Sequence, residues 1–168
     1  MIQYRDAVPA DAAELAALFA HTFTETFGHL YAPADLATFL ADQGPDRWAA
    51  QLADRDYAVR VGVVDGRIVG YAKLGPPSLP VEPQGPSVEL RQLYVLSDQH
   101  GSGAGQALID WTIATARSRG AGELFLSVYI DNHRARRFYL RQGFQPVGLY
   151  TFMVGDHADT DELMRLAL

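Results

Sequence analysis

The spacing of hydrophobic and polar positions changes several times along the chain, and each change marks an element. Ile2 to Arg5 alternates and predicts a short first strand. From Pro9 to Phe23 the apolar residues fall at helical spacing, with Leu15, Leu18 and Phe19 on one face. The continuation, HTFTETFGHLY, is unusually aromatic: Phe23, Phe27 and Tyr31 stand four residues apart, with His21, Glu25 and His29 interleaved. As a helix it makes a packed stripe, the usual fate of aromatic stripes; as a loop it makes a pocket wall. Pro33 starts another helix with Leu36, Phe39 and Leu40 inward, and Pro45 begins a short one around Trp48 and Leu52.

The period then shortens. Tyr57 to Val64 and Ile68 to Leu74 are β-rich runs joined by Asp65-Gly66, a strong hairpin signal. Gly75 to Pro86 is a proline-rich loop, expected to be a passive connection. A strand from Glu89 to Leu96 enters a polar turn, His100 to Gly105, that opens into an amphipathic helix closed by Arg117, Arg119 and Gly120. Leu124 to Ile130 predicts a strand. Asn132 to Gln142 predicts a helix capped by Asn132 and stopped by Gly143, and Phe144 to Val154 and Glu162 to Leu168 two closing strands. The order, roughly β-α-α-β-β-β-α-β-α-β-β without repeat or linker, predicts one α/β domain over 1–168.

Composition narrows the chemistry. Without cysteine, disulfides, iron–sulfur clusters and thiolate zinc sites are excluded. His21, His29, His133 and His157 show no metal-ligand spacing, so no metal is expected. The net charge of −6 argues against nucleic acid as a partner and suits a cationic small molecule. No apolar run reaches the roughly 20 residues of a membrane span and the start lacks a secretory pattern, so a cytoplasmic protein without membrane contact is expected. Oligomeric state is left open.

Three alternate glycines (Gly101, Gly103, Gly105) at a strand-to-helix junction uncover backbone N–H groups at the positive end of a helix, a ready site for phosphate. A dinucleotide fingerprint needs glycine where Gln106 stands, and the Lys-Ser/Thr ending of a P-loop is missing. Two motifs on the right elements instead resemble the GNAT superfamily of acyl-CoA-dependent N-acetyltransferases. The first is His100-Gly101-Ser102-Gly103-Ala104-Gly105, similar to the family's Gln/Arg-x-x-Gly-x-Gly/Ala turn. The second is Asn132, Ala135, Tyr139, Gly143 and Phe144, similar to Asn-x-x-Ala-x-x-x-Tyr-x-x-x-Gly-Phe. FTETFGHLYAPADLATFL and VGDHADTDELM look more specifically like the spermine/spermidine acetyltransferase branch.

The resemblance implies a GNAT-type mixed, mostly antiparallel sheet flanked by helices, with acetyl-CoA as co-substrate. It implies that Leu93, Tyr94 and Val95 give main-chain bonds to pantetheine, that the turn residues bind pyrophosphate, and that Asn132 and Ala135 border the pantetheine arm. It also implies that Tyr139 meets the leaving thiolate. His100 stands where the family has Gln or Arg, so phosphate binding is expected to lean on backbone N–H groups, and His100→Arg to tighten it.

A primary amine of pKa roughly 10.4 is neutral in only about one molecule in 2,500 at pH 7, a cost near 4.6 kcal/mol, so a proton acceptor is needed. Glu89 is the first candidate, expected to share side-chain parity with Arg91 and Leu93; Glu25 is a second, and a water chain a third. Phe27, His29 and Tyr31 are candidates for the acceptor pocket. Direct transfer is expected, because there is no cysteine and no Ser-His arrangement to carry an acyl group. The acceptor is expected to be a polyamine or other small cationic amine; the alternative is a non-catalytic acyl-CoA sensor or regulatory module.

Overall fold

In the computed structural model, which describes residues 1–168, strand β1 (Gln3–Asp6) is followed by three helices, α1 (Ala12–Phe27), α2 (Pro33–Ala41) and α3 (Pro45–Ala53). The aromatic continuation is therefore helical through Phe27 and then a single 3-10 turn, Gly28–Leu30. The hairpin follows as β2 (Ala58–Val64) and β3 (Arg67–Gly75), turned by Asp65 and Gly66 with φ of 49° and 79°. Positive φ at both positions is what a two-residue turn needs to match strand twist. The remainder is β4 (Ser87–Val95), α4 (Ala104–Ser118), β5 (Glu123–Tyr129), α5 (His133–Arg141), β6 (Gln145–Val154) and β7 (His157–Ala167). No helix is long and apolar enough to cross a membrane.

The seven strands form one sheet in the order β1-β2-β3-β4-β5-β7-β6, antiparallel throughout except where β4 meets β5. Alternate residues feed two cores. Leu15, Phe19, Trp48 and Tyr71 pack under α1 and α3, while Ala72, Leu74, Leu108 and Phe144 pack under α4 and α5. That split at Tyr71 and Ala72 is the pleat of β3, with helices covering both faces.

Two irregularities create the site. The parallel pair β4–β5 is in register only at Ser87↔Glu123, Val88↔Leu124 and Glu89↔Phe125. Beyond that point the strands part, leaving the facing edges of Leu90–Val95 and Leu126–Tyr129 without a partner strand. Unpaired strand edges carry main-chain donors and acceptors for a ligand. The second irregularity is a bulge: Leu90 pairs with Leu74 and Gln92 with Lys73, so Arg91 is the extra residue. The bulge corrects the expected parity. Glu89, opposite Gly75, lies on the face of Lys73 and Tyr71, whereas Leu93, opposite Ala72, lies on the other.

The last strand also differs from expectation. It begins at His157, five positions before Glu162, because HADTD continues the antiparallel ladder with β6. Its polar alternation hid it, and two carboxylates thereby enter the sheet.

Candidate active site

A cleft of about 850 Å³ runs through the gap between β4 and β5 and joins both faces of the sheet. At one mouth lies the glycine turn. Gly101 and Gly103 have φ of 83° and 89°, which L-residues resist, and Gly103 directly precedes α4. The backbone N–H groups of Gly101, Gly103, Gly105 and Gln106 donate to no backbone acceptor. Four free donors at a helix N-terminus fit a pyrophosphate. Gly101, Gly103 and Gly105 line the cleft; Ser102 is exposed and outside it, its hydroxyl accepting from the Ala104 N–H at 3.3 Å, and Ala104 is buried in the helix start.

His100 does more than leave a charge missing. Its Nε2 is 2.9 Å from the Val95 carbonyl, which makes it the N–H donor. Its Nδ1 is then free to accept, and Arg134 Nη1 lies 2.6 Å away. The imidazole therefore holds an α5 guanidinium beside the turn, and Arg134 and Arg141 both line this mouth. A cation thus stands beside the backbone donors on which phosphate binding is expected to lean, signalled in sequence only as the third residue of the Asn132 motif.

The middle of the cleft is bordered by Leu93, Tyr94 and Val95 from β4 and by Asn132, Ala135 and Tyr139 from the α5 end. The Asn132 side chain accepts from the Ala135 N–H at 3.3 Å, so it caps α5. Tyr139 is held edge-on between Phe138 and Phe144, at 5.3 and 5.7 Å between ring centroids. Its hydroxyl makes no hydrogen bond to protein, yet no sealed side-chain oxygen lacks a partner, so this oxygen opens to the cleft. Burial pushes the phenol well above its ordinary pKa. Tyr94 is likewise pushed up, first by burial and then by Tyr139 and Asp161, which line the same cleft.

On the α1 side the walls are Phe27 and Tyr31 with Tyr129, Tyr150 and Phe152. Tyr31 stacks on Phe23 at 5.9 Å and donates its hydroxyl proton to Asp159, whose other oxygen lies 3.0 Å from His157 Nε2. Burial, reinforced by Asp159, drives the Tyr31 phenol far up. His29 is corrected: in the 3-10 turn Leu30 packs on the core and Tyr31 turns inward, leaving His29 exposed and outside the cleft. Glu25 is an exposed residue at the rim, 3.6 Å from His21.

At the side where β4 and β5 still pair, Glu89 is buried. Its Oε2 accepts from the Ser78 N–H at 2.7 Å and the Ser78 hydroxyl at 2.9 Å, and lies 3.4 Å from Arg91. All three contacts fall on one oxygen, so Oε1 remains free. Ser78 and Leu79 line the cleft, which overturns the passive reading of the 75–86 loop; it is a rim. Nearby, the buried Lys73 donates to Gln51 at 2.8 Å and sits 4.0 Å over the Trp48 ring. Burial, with Arg47 and Arg91, lowers its pKa to about 7.

The comparisons with known proteins agree with this geometry. A model of the acetyltransferase (GNAT) family matches residues 14–144. An uncharacterized N-acetyltransferase of Mycobacterium tuberculosis is 40% identical over 155 residues, 92% of this chain and 96% of that protein. An aminoalkylphosphonate N-acetyltransferase of Salmonella typhimurium is 32% identical over 100 residues, 60% of this chain and 64% of that one. In fold, the crystal structure of PaiA N-acetyltransferase from Thermoplasma acidophilum in complex with coenzyme A matches with a TM-score of 0.81. That match covers 100% of this chain and 99% of the other at 16% identity.

Proposed function

The chain belongs to the acetyltransferase (GNAT) family and is an acyl-CoA-dependent N-acetyltransferase, and from that premise we propose that its acceptor is a small cationic primary amine, in the first instance a polyamine. The observation that carries the proposal is the cleft itself. It joins an anion-binding turn at one mouth to an aromatic, carboxylate-bearing chamber on the α1 side, with the free Tyr139 hydroxyl at the junction. A sensor without catalysis needs no such hydroxyl.

Acetyl-CoA supplies an activated acetyl thioester. The phosphate-bearing end suits the four free N–H groups with Arg134, and the open edge of Leu93, Tyr94 and Val95 offers main-chain bonds to the pantetheine arm. One of these N–H groups would polarise the thioester carbonyl. Once neutral, the amine nitrogen forms a bond to the carbonyl carbon as the C–S bond breaks, and the second proton that nitrogen sheds passes through solvent to the departing sulfur, giving the N-acetyl amine and the CoA thiol. Tyr139 donates a hydrogen bond to the departing sulfur. Glu89 receives the proton of the incoming ammonium on Oε1, directly or through water, while Ser78 fixes its other oxygen.

Arg47, Lys73 and Arg91 at the Glu89 side favour a second reading, in which the amine also bears an anion such as a phosphonate. The test is mass-spectrometric identification of the acetylated product from a mixture of polyamines, amino acids and aminoalkylphosphonates. An acetylated polyamine supports the proposal; acetylation of the phosphonate alone replaces it with the second reading.

A further inference from the structure

We propose that Asp161 is the anchor for a positively charged group of the acceptor and so sets specificity for diamines over monoamines. The proposal deepens the acceptor reading above and rests on it. Asp159 and Asp161 are neighbours on one face of β7, yet their surroundings differ. Asp159 is committed to Tyr31 and His157. Asp161 is only 8% exposed, forms no ion pair, and receives no hydrogen bond of ordinary geometry from the protein. Ser127 lies near enough to favour its charged form, but burial first and Asp159 after it work against charge. Because no sealed side-chain oxygen in the protein lacks a partner, the carboxylate opens into the cleft it lines. A buried carboxylate lacking a cation is costly unless something outside the chain supplies one.

The surroundings fit an ammonium. Phe27 and Tyr129 meet edge-on at 5.9 Å, and Tyr150 and Phe152 also line this chamber, so π faces and phenol oxygens are available to a cation. Tyr94, Tyr139 and Asp161 all line the one cleft, so the anchor and the Tyr139 hydroxyl open into the same space. One ammonium of a short diamine held there leaves the other amine free to meet the thioester. Arg47, Lys73 and Arg91 lie toward the Glu89 side, which leaves the β7 side as the place for this charge.

The groups facing Asp161 are its register partners Tyr129 on β5 and Tyr150 on β6, Ser127 two residues before Tyr129, Asp159 on its own strand, Tyr94 from β4, and Tyr31 from the α1 side. The phenols of Tyr31, Tyr94 and Tyr129 are all pushed up and stay protonated in an ordinary assay range. Asp161, raised to about 6, loses its charge as pH falls through that value.

The test is calorimetric binding of putrescine and butylamine to CoA-saturated protein, which reads the site without turnover. At pH 8 the expected result is at least tenfold tighter binding of the diamine. Asp161→Asn should abolish that preference while leaving CoA affinity within twofold. In wild-type protein the preference should fade between pH 7 and pH 5, a readout that does not depend on the variant folding. Equal affinity for the two amines at pH 8, or a preference retained in a folded Asp161→Asn protein, overturns the anchor. An absence of acetylated polyamine with the binding preference intact would instead count against the acceptor reading alone.

Discussion

Replacing Asp161 by asparagine is expected to make the folded protein more stable, and only above a definite pH. In the unfolded chain this carboxyl titrates near 3.8, and in the fold it is raised to about 6. At 1.36 kcal/mol per unit the difference is about 3 kcal/mol. The sign follows from proton counting. Between those two values the folded state binds more protons than the unfolded one, so stability falls as pH rises through the window. Above the upper value the full penalty of a buried, unpaired charge is present. Asparagine has nearly the same shape and no such penalty. Relative to wild type, Asp161→Asn should therefore gain nothing below pH 4 and gain progressively to pH 6. It should hold a plateau of about 1–3 kcal/mol at pH 7–8, the lower end allowing for local relaxation and water. For a chain of this length 1 kcal/mol corresponds to about 2–4 °C in Tm. Thermal melts across pH 4–8 measure the gain. A variant equally or less stable at pH 8, or a gain of the same size at pH 4, refutes the claim that Asp161 is a buried charge the fold leaves without a cation. Stability given up at a site that binds a cation is the expected trade of function against fold.

Tyr139→Phe should lower kcat about 10²-fold with little change in the acetyl-CoA KM, because the ring packing survives and only the donor is lost. An ordinary phenol is about 2 kcal/mol too weak an acid to protonate a thiolate fully, and burial of Tyr139 widens the gap. The role proposed for it is therefore hydrogen bonding to sulfur, and a loss under threefold by thiol release would exclude it. Arg134→Ala should weaken CoA binding about fivefold, less at high salt, as suits an exposed cation near phosphate. His100→Arg should not tighten it, since the new guanidinium displaces Arg134; calorimetry showing a gain above twofold contradicts the clamp. Glu89→Gln should lower kcat and raise the pH at which rate reaches its plateau, while an unchanged rate and profile would remove Glu89 as proton acceptor.

Most of the fold was legible because its signals are local. The Asp65-Gly66 turn, the aromatic stripe ending at Tyr31, the Gly101–Gly105 junction and the Asn132 cap are each determined by residues close in sequence. What escaped depends on pairing at a distance. The bulge at Arg91 is a mismatch between β3 and β4, and a regular strand would put Glu89 on the face of Leu93. The His157–Asp161 stretch is strand only because β6 and β5 ladder against it, and its polar alternation carries no apolar periodicity to detect. Asp161 was hidden with it. The His100–Arg134 contact joins a turn and a helix 34 positions apart, and neither residue alone announces a clamp. His29 failed for the opposite reason: a local aromatic context suggested a pocket, while the 3-10 turn directs only Tyr31 into it.

The central claim is that this cleft brings an acetyl thioester and a cationic amine together. The most direct measurement is thiol release from acetyl-CoA, followed with a thiol-reactive dye across polyamines, monoamines, amino acids and aminoalkylphosphonates. The protein has no cysteine and contributes no background. The account predicts saturable release with putrescine or spermidine, faster than with butylamine and reduced about 10²-fold by Tyr139→Phe. Release no faster than hydrolysis with every cationic amine in the panel would contradict it.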